Sequence, residues 1–517
     1  MHERSGALHT HLIHIAVFLL ALLIRLIHNG YIMESPLYFF PLGGHVSYMT
    51  MAEKIAKGGL SPLGSPFSLS SPLFPYILAV EYLFTGFDTL FVSRIVSIIL
   101  DSLTCVMVMI LSRRHFGKIA GMVSGVLTAA YGPMIFYSSE IIAVSFTLFF
   151  VTLAVFLLDR DGSPWLYLFS SIFLGIAIGT RPNLLILAVM VISVPFLLKR
   201  EKREVKSIAM AIGFVLTISP ITIINYKASG KWVLLTTSAG HNFFIGHNPH
   251  AVAGYTLPQS LDGDIFLNMK RLAEKVEGRP FDDDEVSPYY FRKALNHIIK
   301  HPLKEIRITG KKALASVNDY EATTYVNYYF QKGLSPILAY SISFGLLFPL
   351  AVLGVIIHHR RYLLLMPVIA SFISILMFFY ISRLRMPMIP FLAIFAGGAL
   401  PTLFSHIKKG HWYRLILISM FLAAIYVISN LSLAKIDTSN EWNKMGIVLR
   451  LKKRYADAEG AFLRAKQENP INPNTYLNLS ILYNAMGDQE KAKRMRAMGE
   501  SFIRVDDTER LIKVMRE

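Results

Sequence analysis

The feature that most constrains this chain is a series of eleven apolar stretches, near 9–28, 90–112, 119–137, 141–158, 164–180, 183–198, 207–226, 337–357, 362–381, 386–404 and 414–432. Each approaches the ~20 residues that a helix needs to cross a hydrocarbon core of ~30 Å. Lipid offers no partner to backbone N–H and C=O groups, so spanning segments of this kind must be helical. The expected fold class is therefore an all-α polytopic membrane protein with about 11 transmembrane helices. Only 17% of residues are charged, too few to cover a soluble protein of 517 residues, and the mean hydropathy is +0.46. The first stretch has no small-residue cleavage site and is read as a retained span rather than a signal peptide. The run 164–198 is divided by Gly179-Thr180-Arg181-Pro182-Asn183. A single cysteine, Cys105, excludes an intrachain disulfide and a cysteine-based metal site.

The net charge of +18 is carried largely by short loops between apolar stretches. That pattern marks membrane topology rather than nucleic-acid binding. Arg113, Arg114 and Lys118 form one cluster, and Lys199, Arg200, Lys202, Arg203 and Lys206 a second. Arg360 with Arg361, and Lys408 with Lys409, complete the set. With a cytoplasmic N-terminus and eleven spans, all four fall inside. Three soluble pieces then face outward: 29–89, 227–335 and a tail from about 435. The first has two amphipathic stretches, Tyr48 to Lys57 and Pro72 to Leu83, expected as helices on the membrane surface, around a Gly/Ser/Pro loop from Gly58 to Pro72. The second carries an acidic run, Asp282 to Glu285. Residues 1–434 form the membrane domain and 435–517 a separate tail.

The tail has an internal repeat. Trp442, Met445, Gly446, Leu449, Ala458, Phe462, Ala465 and Pro470 fit the tetratricopeptide pattern. About 34 residues on, Tyr476, Leu479, Tyr483 and Ala492 recur in register, with Ser480 in place of the glycine. Two repeats do not bury their faces alone. They and a last helix, Asp507 to Arg516, must cap one another or dock on the membrane domain. A partner-binding groove and a packing cap both remain open.

No nucleotide-binding loop, zinc motif or nucleophile elbow is present. Polar groups at the outer ends of the spans stand out, because ionisable residues are costly there. Glu140, in Tyr137-Ser138-Ser139-Glu140, can act as a base, hold a metal, or simply start a helix. Arg383 and Arg385, in Ser382-Arg383-Leu384-Arg385-Met386-Pro387, run against the positive-inside trend. Their forked guanidiniums suit a lipid phosphate or snorkel to headgroups. Arg181 poses the same alternatives. The segment Gly240 to Pro249 mixes glycine, amide, imidazole and aromatic groups and can line a sugar site or form an ordinary loop. Its two histidines, six apart, are weak as metal ligands.

The order of motifs is more specific than any one of them. Ser71-Pro72-Leu73-Phe74-Pro75-Tyr76 leads to Leu83-Phe84-Thr85-Gly86. Then come Arg113-Arg114-His115-Phe116-Gly117, Tyr131-Gly132-Pro133, Phe136 to Glu140, Thr180-Arg181-Pro182-Asn183 and Arg383-Leu384-Arg385-Met386-Pro387. Over about 9–400 the chain resembles bacterial protein-mannosyltransferase-like glycosyltransferases of the C-type superfamily, in the subgroup with tetratricopeptide repeats. The resemblance implies a polyprenyl-phosphate-linked sugar as donor, with no certain cofactor, and an outward site beneath the first loop. It implies catalytic carboxylates, with Glu140 matching the acidic residue of the second outer loop. Arg181, Arg383 and Arg385 match the donor-phosphate arginines. Glu321 resembles an acidic residue after the large loop, and Tyr48, Tyr137, Asn242 and Asn248 are expected with it on the sugar and acceptor side. The family's first-loop aspartate falls at Gly44, and no aspartate lies between the first span and Asp88. Either His45 or Glu34 replaces it, Glu140 works alone, or the chain binds without transferring. The expected function is inverting glycosyl transfer to a protein, lipid or glycan hydroxyl at the periplasmic face of the inner membrane. The alternatives are an impaired lipid-linked-sugar binding protein, a glycan polymerase or ligase, and a transporter. A transporter would show two related halves, which this sequence lacks.

Overall fold

The structure is a computed structural model that describes residues 2–40, 44–59, 71–86, 89–255 and 265–502. The described residues are helical, with isolated bridges and no extended strand. The membrane part contains α1 (His2–Met33), α2 (Gly44–Ala56), α3 (Phe74–Thr85), α4 (Thr89–Phe116), α5 (Lys118–Ala129) and α6 (Gly132–Ser138). It continues with α7 (Val144–Leu158), α8 (Pro164–Thr180), α9 (Leu185–Ile192), α10 (Val194–Leu197) and α11 (Arg203–Ser229). The large loop supplies α12 (Ala239–Gly246), α13 (Ile265–Glu277), α14 (Asp283–Lys300), α15 (Pro302–Ser316), α16 (Tyr328–Leu334) and α17 (Pro336–Ala339). There follow α18 (Phe344–Ile357), α19 (Tyr362–Met377), α20 (Ser382–Arg385), α21 (Ile389–Lys408) and α22 (Trp412–Ser429). The tail is α23 (Ser439–Leu451), α24 (Tyr455–Glu468), α25 (Pro473–Met486) and α26 (Gln489–Phe502). The expected last helix, 507–516, and most of the loop 58–72 lie outside the described residues.

Every apolar stretch carries a helix. Among the described residues, five helical segments are long and apolar enough to cross a membrane: His11–Met33, Leu90–Phe116, Arg203–Ser229, Ser382–Lys408 and Trp412–Ser429. The others are shorter. The stretch 119–137 breaks between α5 and α6, because the Gly132 N–H donates to the Ile342 carbonyl at 2.9 Å instead of continuing the helix. A Cβ at Gly132 would sit 2.2 Å from Ser341 Oγ, so only glycine permits this approach.

The basic loops gather at one end. Asp159, after α7, pairs with Arg114 at 3.0 Å and His115 at 2.7 Å. Asp161 pairs with Lys206 at 2.7 Å and Arg200 at 3.3 Å. His358 stacks on Phe116 at 4.2 Å, which brings the loop bearing Arg360 and Arg361 to the same end. One helix length away lie Glu140, Arg181 and Arg383. Inside the bundle, Arg25 of α1 pairs with Asp101 of α4 at 2.6 Å, both fully buried. Arg25 also donates to the Ala21 and Ala129 carbonyls, which satisfies a charge that lipid would otherwise exclude.

Helices α2 and α3 fold back over the end of the bundle that carries Glu140. Tyr48 of α2 meets Phe74 of α3 at 5.3 Å, and Phe74 meets Phe146 of α7 at 5.9 Å. The α3 segment differs from expectation. Its one charged residue, Glu81, is buried, while Val80, Leu83 and Phe84 are exposed. It is an apolar helix with a lipid-compatible outer face, not an amphipathic one.

The tail docks on the membrane part. Trp442 packs edge-on against Phe330 of α16 at 5.2 Å. Phe330, Leu334 and Leu37 share one apolar cluster with Met445, Leu449 and Phe462. The Asn327 amide donates to the Asp437 carbonyl at 2.9 Å. Within the tail, α23 lies against α24 so closely that a Cβ at Gly446 would meet the Phe462 ring at 2.4 Å. The repeat positions Ala458, Phe462, Tyr476, Leu479 and Ala492 are buried.

Candidate active site

Glu140 sits in a tight turn between α6 and α7, where the Ile142 N–H donates to its carbonyl at 2.9 Å. Arg94 of α4 anchors that turn. Its Nε donates to the Ser139 carbonyl at 2.9 Å, its Nη2 to the Tyr38 carbonyl at 3.0 Å, and its guanidinium lies 3.6 Å from the Tyr38 ring centroid. The Glu140 carboxyl is buried and accepts a short hydrogen bond from the Gln331 amide of α16. Burial pushes the carboxyl up to about 7, against the opposing pull of Arg94, Gln331 and Lys444.

His45, on the first turn of α2, is buried with Nε2 3.6 Å from Glu140 Oε2. That is too long for a hydrogen bond, and Nε2 has no other partner. Burial, helped by Arg94, Lys444 and Arg383, pulls the imidazole down to about 3. The pair is therefore a neutral histidine beside a carboxyl, not a salt bridge. A proton entering this site goes to Glu140 rather than to His45. Both side chains line a cavity of about 50 Å³ with Arg94, Tyr325, Gln331 and Lys444. That space has room for a few waters.

Arg181 and Arg383 meet beside this cavity. Pro182 ends α8, and the Arg181 N–H still bonds back to the Ala177 and Ile178 carbonyls. The groups acting most strongly on its guanidinium are Arg383, Tyr48, Tyr137 and Tyr325. Arg383 faces the same three tyrosines and lies 5.0 Å from the Tyr325 ring centroid. Its Nε is buried without a partner. Arg383 shares a smaller cavity with Glu140, His45 and Tyr137. Among the described residues neither guanidinium has a carboxylate at ion-pairing distance. The two guanidiniums thus lie close together among Tyr48, Tyr137 and Tyr325.

Several expected site residues lie elsewhere. Arg385 is fully buried and ion-paired to Glu321 at 2.5 Å. It also donates to the Asn318 carbonyl and covers the Phe344 ring at 3.7 Å. Arg385 and Glu321 thus hold α20 to the end of the large loop, and neither lines the cavities. Residues two apart on a short helix project to different sides, which separates Arg383 from Arg385. Glu34 follows the last turn of α1 and is exposed, away from Glu140. Asn248 bonds the Phe244 and Ile245 carbonyls and caps α12. Asn242 lies half-buried within α12. The segment 240–249 is therefore a capped helix rather than a sugar-lining loop. His247 within it bonds Glu305 at 2.7 Å. Tyr48 and Tyr137 are buried around the two arginines. Among the described residues no group of three or more His, Cys, Asp or Glu is placed to hold a metal ion.

Residues 69–224 match the sequence profile of the dolichyl-phosphate-mannose-protein mannosyltransferases. The match spans α3, Glu140 and Arg181. Among solved structures, the chain is similar to the oligosaccharyltransferase AglB of Archaeoglobus fulgidus, in complex with an inhibitory peptide and a dolichol-phosphate. The identity is 13% and the TM-score 0.41, covering 86% of this chain and 59% of that one. A second structure, the same organism's oligosaccharyltransferase tethered to an acceptor peptide, gives 14% identity and a TM-score of 0.42 over 86% and 58%. The chain spans about three fifths of their length. No curated protein sequence matches it.

Proposed function

We propose that this chain transfers a sugar from a polyprenyl-phosphate carrier to an acceptor hydroxyl at the periplasmic face of a bacterial inner membrane. The observation that carries the reading is the pair of guanidiniums, Arg181 and Arg383, without carboxylate partners beside a buried carboxyl, Glu140. The profile match over 69–224, which names a polyprenol-phosphate donor, supports the same chemistry. In the transfer, the acceptor oxygen bonds to the anomeric carbon from the face opposite the phosphate. Its proton passes to the Glu140 carboxylate. The bond from the anomeric carbon to phosphate oxygen breaks, and the electron pair leaves on polyprenyl phosphate. Arg181 and Arg383 neutralise that developing charge in a water-poor site. His45, neutral beside Glu140, helps hold the acceptor. Gly44 carries no base, so Glu140 takes that role alone.

The test compares envelope glycans and periplasmic proteins by mass spectrometry with and without the gene. A glycan lost in the deletion should return with the intact chain and not with Glu140→Gln. A second reading, a carrier-lipid binding protein without transfer, draws on Gly44, which carries no base. It predicts tight polyprenyl-phosphate binding with no change in any glycan.

The proposal includes eleven spans and a periplasmic tail of two tetratricopeptide repeats. Single cysteines at Lys275 and Ser501, both exposed, should then react with an impermeant thiol reagent in intact spheroplasts. Native Cys105 is buried and should stay silent. Protection of both engineered sites until lysis would reverse the orientation.

A further inference from the structure

The tail reaches the Glu140 cavity, although none of the sequence motifs for the site lies in it. Helix α23 places two charged side chains, Glu441 and Lys444, in the cavity wall opposite His45 and Glu140. Lys444 Nζ donates to the Tyr325 carbonyl at 2.6 Å and to Glu441 Oε1 at 3.1 Å. Tyr325 in turn stacks edge-on against His45, with centroids 5.4 Å apart. Next to Lys444, Trp442 packs on Phe330, and the following residue, Gln331, is the donor to Glu140. The docked tail therefore borders the Glu140 cavity with Lys444 and packs on α16, which carries the Gln331 donor to Glu140.

We propose that Lys444 is a positioning residue for Glu140, so that the docked tail supplies the cation that completes the site. Glu441 holds the ammonium in place, and the Tyr325 carbonyl aims it across the cavity. The charged groups facing Glu140 are Arg94 from α4, Lys444 with its paired Glu441 from α23, and Arg383 from α20, which shares the smaller cavity. His45 from α2 faces it as a neutral ring, and Gln331 from α16 as an amide donor. Arg94 is already engaged by the Ser139 and Tyr38 carbonyls and the Tyr38 ring, so Lys444 is the cation whose arrival depends on the tail. Neutralising Lys444 in the docked tail favours the protonated acid, which cannot accept a proton. The consequence for transfer rests on Glu140 as the proton acceptor. The contact and its effect on the carboxyl do not.

The test therefore reads the carboxyl directly, in the full-length purified chain and without donor or acceptor. Infrared titration follows the protonated-carboxyl band that is absent from Glu140→Gln. In Lys444→Met its midpoint should rise by about one pH unit, the low end for loss of a nearby opposite charge. That is tenfold less carboxylate at a fixed lower pH. Lys444→Arg should restore the original midpoint. Should Lys444→Met fail to fold, Lys444→Gln, which keeps a donor to the Tyr325 carbonyl, reads the same shift. An unchanged midpoint in a folded neutral variant overturns the proposal and leaves Lys444 as a docking anchor. A shift in Lys444→Arg equal to that in Lys444→Met also overturns it, because packing rather than charge would then be responsible. A shifted midpoint in a chain with no transferase activity would sink the proposed function while leaving this contact standing.

Discussion

Glu140→Gln is expected to lower glycosyl transfer by about 10²- to 10⁴-fold, the usual contribution of a positioned proton acceptor. Polyprenyl-phosphate binding should be unchanged, because the phosphate is assigned to other side chains. The amide keeps the size of the carboxyl and loses only its ability to take a proton. The pH profile sharpens the test. Burial raises the carboxyl to about 7, so only the ionised fraction accepts a proton. Wild-type transfer should fall about tenfold per unit below that pH and level off above it, while the residual rate of Glu140→Gln stays flat. Stability runs the opposite way. The folded carboxyl takes up protons more readily than the unfolded one. Its favourable contribution is full below the ordinary carboxylate range and is lost as pH rises through about 7. The glutamine variant should therefore gain in Tm relative to wild type at pH 8 and not at pH 4. Full transfer activity in Glu140→Gln would remove this residue from the proton path.

The sequence made the apolar helices legible because lipid permits so little else. It also made Glu140, His45, Arg181 and Arg383 legible as one group, through the order of the motifs. It did not reveal which charges would cancel. Arg383 and Arg385 read alike in Arg-Leu-Arg, yet one faces tyrosines and the other faces Glu321, a carboxylate 64 residues earlier in the chain. The groups that tune Glu140 were illegible for a related reason. Gln331 comes from 191 residues away, Arg94 lies inside an apolar helix, and Lys444 lies in a tail whose sequence pattern speaks only to packing positions. The segment 240–249 looked like a polar loop because amides and glycines serve helix ends as well as sugars. The tail's small and aromatic residues pack between its paired helices. The tail's docking site was not legible, since Phe330 sits in a short helix with no periodic pattern of its own.

The two arginines of Ser382 to Pro387 should separate cleanly. Arg383→Ala is expected to weaken binding of polyprenyl phosphate by about 10- to 150-fold, from roughly 1.5–3 kcal/mol for a charge-assisted contact. Arg181→Ala should act similarly, because both guanidiniums face the same three tyrosines. Each of these changes also relieves the repulsion between two enclosed cations, so the folded chain should keep or raise its Tm. Arg385→Ala should behave in the opposite manner. It leaves Glu321 buried without its partner, and breaking such a pair costs about 3–5 kcal/mol. The expected result is a large fall in Tm or in folded yield, with near-normal affinity in whatever remains folded. Affinity from a fluorescent polyprenyl-phosphate displacement assay and Tm on the same preparations distinguish the two roles. Arg383→Lys refines the first, because an ammonium keeps the charge but not the fork, and should recover part of the lost affinity. If Arg385→Ala stays folded and loses the lipid while Arg383→Ala binds normally, the phosphate site has been assigned to the wrong arginine.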